Sequence, residues 1–444
     1  MGALLVGASA AQAQVRYAAT GGSGAACEQA APCTLKEAVS KAKSNDEVIV
    51  TAGTYPVEET IDPEPGQVNV SIHGDFSGPP PRIQVSKATV GLVSIGVGGR
   101  VAYFDIVHDS FGGYGALCGK DGVLERLDVE TTGEAAIGIY QTSDCVARDS
   151  VVRSLGPNSL ALMAGSGGEE AKAEGRNLTL IASGAGSKGV LANCIVCFPI
   201  GSQELDLRNS IVSGTLTDLE TGGSPVAMVV SNSNFDTVTP GSAVTDGGGN
   251  QSAAPQFVDA AAGDYREAAG SPTIDAGLAD PLLGSVDLAG ASRSIGVAPD
   301  IGAYEFVPPA GDLQSLALTA KKFRAANIGG AVASAKKKKR RAPVGSTATY
   351  ALSDRATVAF TVERKLKGRR AGKKCVKQTK ANRSKKRCPL FKSVKGSFSL
   401  EGIAGANSFR FSGRVNGKAL KPGSYRLVGQ TGATLARAGF TIVK

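Results

Sequence analysis

The chain of 444 residues has no tryptophan, two histidines and three methionines. His73 and His108 are the only histidines, and neither sits in a recognisable acid–base phrase. No apolar run approaches the roughly 18 residues that a membrane-spanning helix needs. Aromatic residues are sparse, 9 Tyr and 14 Phe, and none forms a stacking platform beside the basic clusters, so no nucleic-acid partner is expected. Carboxylates thin out abruptly. Residues 1–311 hold 35 Asp+Glu against 17 Lys+Arg, whereas residues 312–444 hold 4 against 32. The net +10 therefore joins an acidic body of −18 to a basic C-terminal region of +28. A field of that size draws in polyanions.

What the chain does have is a recurring phrase. Phe104-Asp105-Ile106, Leu127-Asp128-Val129, Asp149-Ser150-Val151, Leu178-Thr179-Leu180, Asn209-Ser210-Ile211 and Asn232-Ser233-Asn234 can be superimposed, with middle residues 23, 22, 29, 31 and 23 positions apart. Strand-like runs at such a period mark a solenoid whose turns stack. Strand alternation sends the flanking apolar residues inward and the middle residues Asp105, Asp128, Ser150, Thr179, Ser210 and Ser233 outward. A second apolar run precedes each next repeat (Ala116-Leu117, Ile137-Gly138-Ile139, Leu160-Ala161-Leu162), giving at least two strands per turn. Gly at 58 positions suits tight turns.

Eight cysteines fall into local pairs, Cys27/Cys33, Cys118/Cys145, Cys194/Cys197 and Cys375/Cys388, as disulfides of an oxidising compartment would. Cys194-x-x-Cys197 also has zinc-ligand spacing, but neither a second such pair nor a nearby His completes a site, and no metal is expected. The start of the chain agrees with export. Ala3-Leu4-Leu5-Val6-Gly7-Ala8 precedes the small-x-small site Ala11-Gln12-Ala13, a leader over residues 1–13 whose positively charged opening is missing, so the start codon is expected upstream.

Thr34-Leu35-Lys36-Glu37 is a capping box ahead of a short helix with Leu35, Ala38, Val39 and Ala42 on one face. Asp46–Thr51 reads as a strand and Ala52-Gly53-Thr54-Tyr55 as a turn. Together, Cys33–Val39, Asp46–Val50 and Gly53–Tyr55 resemble the opening of secreted bacterial right-handed parallel β-helix proteins of the pectin-lyase-like group. Ser271-Pro272-Thr273-Ile274-Asp275-Ala276-Gly277 and Pro299-Asp300-Ile301-Gly302-Ala303-Tyr304-Glu305 resemble the terminal, choice-of-anchor-like motif of surface-associated members. Beyond Val307-Pro308-Pro309-Ala310-Gly311, the phrases Phe323-Arg324-Ala325-Ala326 and Pro422–Leu427 resemble basic C-terminal modules of secreted actinobacterial proteins. Alternating runs at 356–362, 408–415 and 425–428 read there as strands of a small antiparallel sandwich.

The expected architecture is all-β: a right-handed parallel β-helix over 14–249 with an N-terminal capping helix, its terminal region over 250–308, and a basic β-sandwich-like domain over 309–444. The resemblance implies a secreted or surface protein acting on or binding polysaccharide, with any chemistry on the outside of one parallel sheet. Paired carboxylates would serve a hydrolase, and a basic residue beside Ca²⁺-holding carboxylates a lyase. The candidates are Asp105 and Asp128, with Arg126, Arg148 and Arg208 at equivalent places in their turns. The competing reading is a solvated outer stripe on a non-catalytic scaffold that binds carbohydrate or cell wall, and dense Asp or His clusters are missing. His108 reads as a turn or surface residue. Asp246, Asn250, Asp275 and Asp300 lack Ca²⁺-loop spacing and read as structural hydrogen-bonding groups, so no cofactor is expected. Lys336, Lys337, Lys338, Lys339, Arg340 and Arg341, with a second cluster from Arg364 to Lys386, are the candidate contacts for an anionic envelope polymer.

Overall fold

A computed structural model describes residues 13–444 apart from 88–89, 95–96, 167–169, 195–201, 224, 294, 308–310, 333–341, 373 and 433. Residues 1–12 of the expected leader, Cys197, and the basic run Lys336–Arg341 therefore lie outside the described residues. The chain divides into two compact units, Met1–Val307 and Pro308–Lys444.

The first unit is a parallel β-helix. One parallel sheet runs from Val15–Ala18 through Glu47–Val50, Ser71–Gly74, Arg100–His108, Gly122–Thr131, Cys145–Ser154, Glu170–Ala182, Ser202–Arg208 and Val226–Ser231 to Val244–Asp246. A second parallel sheet stacks Val90–Ser94, Tyr114–Cys118, Ile137–Gln141, Leu160–Ser166, Lys188–Cys194 and Thr217–Gly222. Successive circuits alternate between the two sheets, so the chain coils. Contrary to expectation, Thr54 and Tyr55 are not a turn but open the strand Thr54–Val57, which pairs with Arg82–Val85.

Apolar side chains stack rung over rung inside the coil. Leu92, Ala116, Ile139, Leu162, Val190 and Leu219 form one fully buried column. Ile106, Val129, Val152, Leu180 and Val212 form another. Each large aliphatic buried in this way contributes roughly 1.5–3 kcal/mol. The coil is narrow, and glycine makes it so: a Cβ on Gly138 would stand 2.1 Å from Val152 Cγ1 and 2.8 Å from the Ala161 carbonyl oxygen. The helix Leu35–Ser40 starts at Thr34, whose hydroxyl accepts from the Glu37 amide at 3.3 Å. Glu37 itself takes Lys41 Nζ at 2.5 Å. Leu35, Ala38 and Val39 are buried in the same core as the first rungs. Cys27–Cys33 and Cys118–Cys145 are disulfides, and Cys194 is disulfide-bonded.

The second unit packs an antiparallel sheet of Leu313–Leu318, Ser346–Leu352 and Gly405–Phe411 with a larger, mostly antiparallel one. The larger sheet contains Lys322–Phe323, Ala356–Ala371, Lys374–Lys377, Arg387–Gly402, Gly423–Thr431 and Thr434–Ile442. Its core is aromatic: Phe323, Tyr350, Phe360, Phe411 and Phe440 are buried, with Phe323 stacked on Phe440 at 5.2 Å. Cys375–Cys388 is the disulfide of this unit.

Candidate functional site

The long strands of the first sheet bend in the middle, and each bend is a residue with left-handed backbone. Tyr103, Arg126, Asp149, Asn177, Asn209 and Asn232 have φ of 62°, 55°, 51°, 49°, 49° and 47°. Asn and Asp tolerate this conformation because their short polar side chains bond locally. The residues that follow the bend, Phe104, Leu127, Ser150, Leu178, Ser210 and Ser233, are all buried. The recurring phrase is therefore one residue out of register at three turns. Asp105 opposes Asp128, but Asp128 opposes Val151, Val151 opposes Thr179, and Thr179 opposes Ile211. Ser150, Ser210 and Ser233 do not join the outer stripe. They turn inward to bridge circuits: Ser150 Oγ accepts from the Leu127 amide at 3.0 Å and donates to the Arg148 carbonyl at 2.7 Å. Ser210 and Ser233 make the equivalent bonds.

The arginines are likewise redistributed. Arg148, Arg176 and Arg208 share one column, with Glu125 opposite Arg148. Arg126 stands one residue further on, at the bend. Its guanidinium lies 4.6 Å from the Tyr103 ring centroid and 5.3 Å from that of Phe76. Arg176, which sequence reasoning passed over, is almost fully buried between Asp206 and Asp280.

Every candidate catalytic group is held by a partner. Arg82 pairs with Asp105 at 2.6 Å, and Arg153 bridges Asp128 at 2.7 Å and Glu130 at 2.5 Å. Burial pushes the Asp128 carboxyl above its usual range, Arg153 opposes the rise, and the charges of Asp105 and Glu130 add to it. Arg148 and Arg100 each reach Glu125 at 2.5 Å. Burial would raise Glu125, but the two guanidiniums win and hold it below the ordinary carboxylate value. An acid–base pair needs one carboxyl that keeps a proton and one that receives it. Burial moves Asp128 toward the first of these, while each of the two carboxyls is engaged by a guanidinium, Asp105 by Arg82 and Asp128 by Arg153.

The stripe is also covered. After Gln251 bridges Asn234, the chain turns back along the coil as a strap over residues 256–305. Asn209 exchanges two 2.8 Å bonds with Leu278, Ala303 donates to Thr179 Oγ1 at 2.9 Å, and Arg148 donates to the Leu282 carbonyl at 2.9 Å. Arg126 reaches the Leu288 carbonyl at 3.4 Å. Val151, Thr179 and Ile211 lose their exposure beneath this strap. Its clasp is Arg293, which pairs with Asp149 at 2.7 Å and donates to the Gly302 and Ala303 carbonyls at 3.1 and 2.8 Å. Asp275 and Asp300 accept backbone amides within the strap, and Asp246 accepts from Gly248 and Asn250. Among the described residues no three His, Cys, Asp or Glu side chains are placed to hold a metal ion.

The histidines take structural places. His73 is buried, with Nε2 at 2.7 Å from Glu47 Oε1. His108 is no surface residue: it is fully buried at a strand end, in space left by Gly113, where a Cβ would meet the imidazole at 1.9 Å. On the second sheet, half-exposed Tyr114 and Tyr140 stack across one circuit at 5.3 Å.

In the second unit, the strand Ala356–Ala371 continues beyond the core as a ribbon, flanked by Lys374–Lys377 and Arg387–Gly402. Between Glu363 and Glu401 lie fifteen Lys and Arg and no carboxylate. Lys365, Lys367, Arg369 and Arg387 line a hollow of about 540 Å³ together with Gln378.

No protein-family model and no curated protein matches the sequence. Among solved structures, that of the pectate lyase Pel9A aligns over 66% of this chain and 96% of its own, with a TM-score of 0.37 at 14% identity. Among the described residues no helix is long and apolar enough to cross a membrane.

Proposed function

We propose that the protein is a non-catalytic scaffold exported to the cell surface, with the β-helix as a rigid rod and the basic unit as its attachment to an anionic envelope polymer. One observation carries the reading. The stripe that offered paired carboxylates is engaged by Arg82 and Arg153 and lies beside a strap bonded to the coil over much of its length. The disulfides favour an oxidising compartment. The tyrosine pair on the second sheet is the natural contact for a sugar ring, since an aromatic face carries a large apolar area with a polar tip.

Two measurements test this. Purified protein incubated with acidic and neutral polysaccharides should release neither reducing ends nor unsaturated products. Product formation abolished by Asp128→Ala would overturn the scaffold reading. Full-length protein should be retained on isolated envelopes and released by salt, because attraction between exposed charges is screened. Retention that does not change with salt would remove the basic unit from the account.

A further inference from the structure

We propose that the disulfide-stapled ribbon of the second unit binds a linear phosphodiester polymer of the polyol-phosphate type along the track Lys365–Lys367–Arg369–Arg387. This rests on the envelope-attachment reading and names its ligand chemistry.

The track follows from strand geometry. Lys365, Lys367 and Arg369 are alternate residues of one strand, so they share a face and repeat every ~6.6–6.8 Å. Across the ladder they oppose Phe391, Pro389 and Arg387. Lys365 also lines a neighbouring hollow of about 370 Å³ with Lys321, Lys322 and Arg437, which carries the positive line onward. A row of cations at fixed pitch fits a polymer whose single negative charges recur at even intervals, as phosphodiesters do. The exposed Arg387 guanidinium adds fork geometry matched to phosphate oxygens, and Arg369 adds its charge.

The staple holds the tip in shape. Cys375 and Cys388 bond beside Gly368, where a Cβ would stand 2.5 Å from Cys375 Sγ, and Arg369 ties Gln378 and the Lys385 carbonyl at 2.9 Å each. Nucleobases would need open rings. The two rings here already carry guanidiniums, Arg426 over Phe391 at 3.6 Å and Arg364 over Tyr425 at 5.8 Å. A bilayer would need apolar side chains to insert, and in this ribbon Leu366 is the exposed large one.

The test titrates full-length protein with a glycerol-phosphate oligomer, oligo-dT of equal phosphate number, and phosphatidylglycerol vesicles, each at several salt concentrations. The glycerol-phosphate oligomer should bind at least tenfold more tightly than the other two. Lys367→Ala and Arg369→Ala should each flatten its log–log salt slope by about 0.7, the value for one phosphate contact on a single strand. Arg355→Ala, an exposed cation off the track, should leave the slope unchanged. Equal slopes for all three variants would overturn the track, and tighter binding of oligo-dT or vesicles would overturn the ligand class. Retention on envelopes without glycerol-phosphate binding would sink this inference while leaving the attachment reading intact, whereas loss of both would sink that reading too.

Discussion

Replacing Arg293 by alanine should release the strap while the coil stays folded. The Arg293–Asp149 pair is buried on both sides, with side-chain exposures of 2% and 1%, and it joins residues 144 positions apart. Removing one partner of such a pair leaves an uncompensated buried charge and costs about 3–5 kcal/mol. The Gly302 and Ala303 carbonyls each lose one of two donors in the same step, keeping Asn177 Nδ2 and the Leu288 amide respectively. Part of the cost is returned, because burial already pushes the Asp149 carboxyl up to about 6 against the pull of Arg293, and without Arg293 it protonates more readily. We therefore expect a loss near the lower figure, about 3 kcal/mol.

Because the chain has two units and a repetitive coil, a single unfolding transition does not define one free energy. Amide hydrogen exchange reads the local opening directly. The amides of Leu288, Gly302 and Ala303 bond across the strap or onto the coil. They should exchange on the order of a hundredfold faster in Arg293→Ala, since 1.4 kcal/mol is a factor of ten. Amides of the inner strands, such as Ile139 and Leu162, should not change. A second variant, Asp149→Asn, closes a double-mutant cycle whose coupling should exceed about 1 kcal/mol. If Arg293→Ala leaves strap exchange within a factor of two, or the cycle is additive, the clasp does not hold the strap.

The strap should also loosen as pH rises from 4.5 to about 8. Burial, with Asp300's charge adding, pushes Glu305 from 4.5 up to about 8, and burial pushes Glu267 up to about 7. Folded values above the unfolded ones mean stability that is full below pH 4.5 and lost as pH rises through 7 and 8. The thermal midpoint should fall over that window, and Glu305→Gln should blunt the fall; a flat profile counts against the buried acids. Gly138→Ala forces a methyl into Val152 and should cost about 1–3 kcal/mol, partly recovered by Val152→Ala. No cost in thermal denaturation would mean the coil is looser than its columns imply. Converting Cys118 and Cys145 to serine opens a link across 27 positions and should cost about 3–4 kcal/mol by chain entropy, checked against the wild type under non-reducing conditions.

The coil was legible in the sequence because burial repeats: Ile106, Val129, Val152, Leu180 and Val212 must be apolar at every circuit. The register was less so. Each polar middle residue of the phrase reads as outward, but what recurs physically is the left-handed bend. Asp149, Asn209 and Asn232 announce that bend, whereas Tyr103 and Arg126 occupy it with nothing in their chemistry to mark it. Aligning on Asp and Asn would have placed Ser150, Ser210 and Ser233 inward and put Arg148 beside Arg176. The strap lay beyond sequence reading for a different reason. Its contacts join residues 69 to 162 positions apart and follow no period, so Arg293 looks like any loop arginine until Asp149 stands beside it.

Two devices occupy the bend side of the coil, and their boundary explains the placement of its charges. From Asn209 back to Asp149 the bends are Asp or Asn, whose small side chains leave room for the strap; Asn177 and Asn209 bond directly to it. At Arg126 the strap makes one long contact through the Leu288 carbonyl. From there toward the N-terminus, Arg126, Tyr103 and Phe76 cover the bend themselves as a cation and ring stack. Left-handed backbone at bulky residues costs on the order of 1–2 kcal/mol each, and a cation over two rings returns a comparable amount. Large side chains therefore stand at and beyond the strap's last contact, and small ones beneath it. That complementarity is what a structural seam requires. Under the scaffold reading we propose, Asp105 and Asp128 serve this seam as ion-pair partners of Arg82 and Arg153.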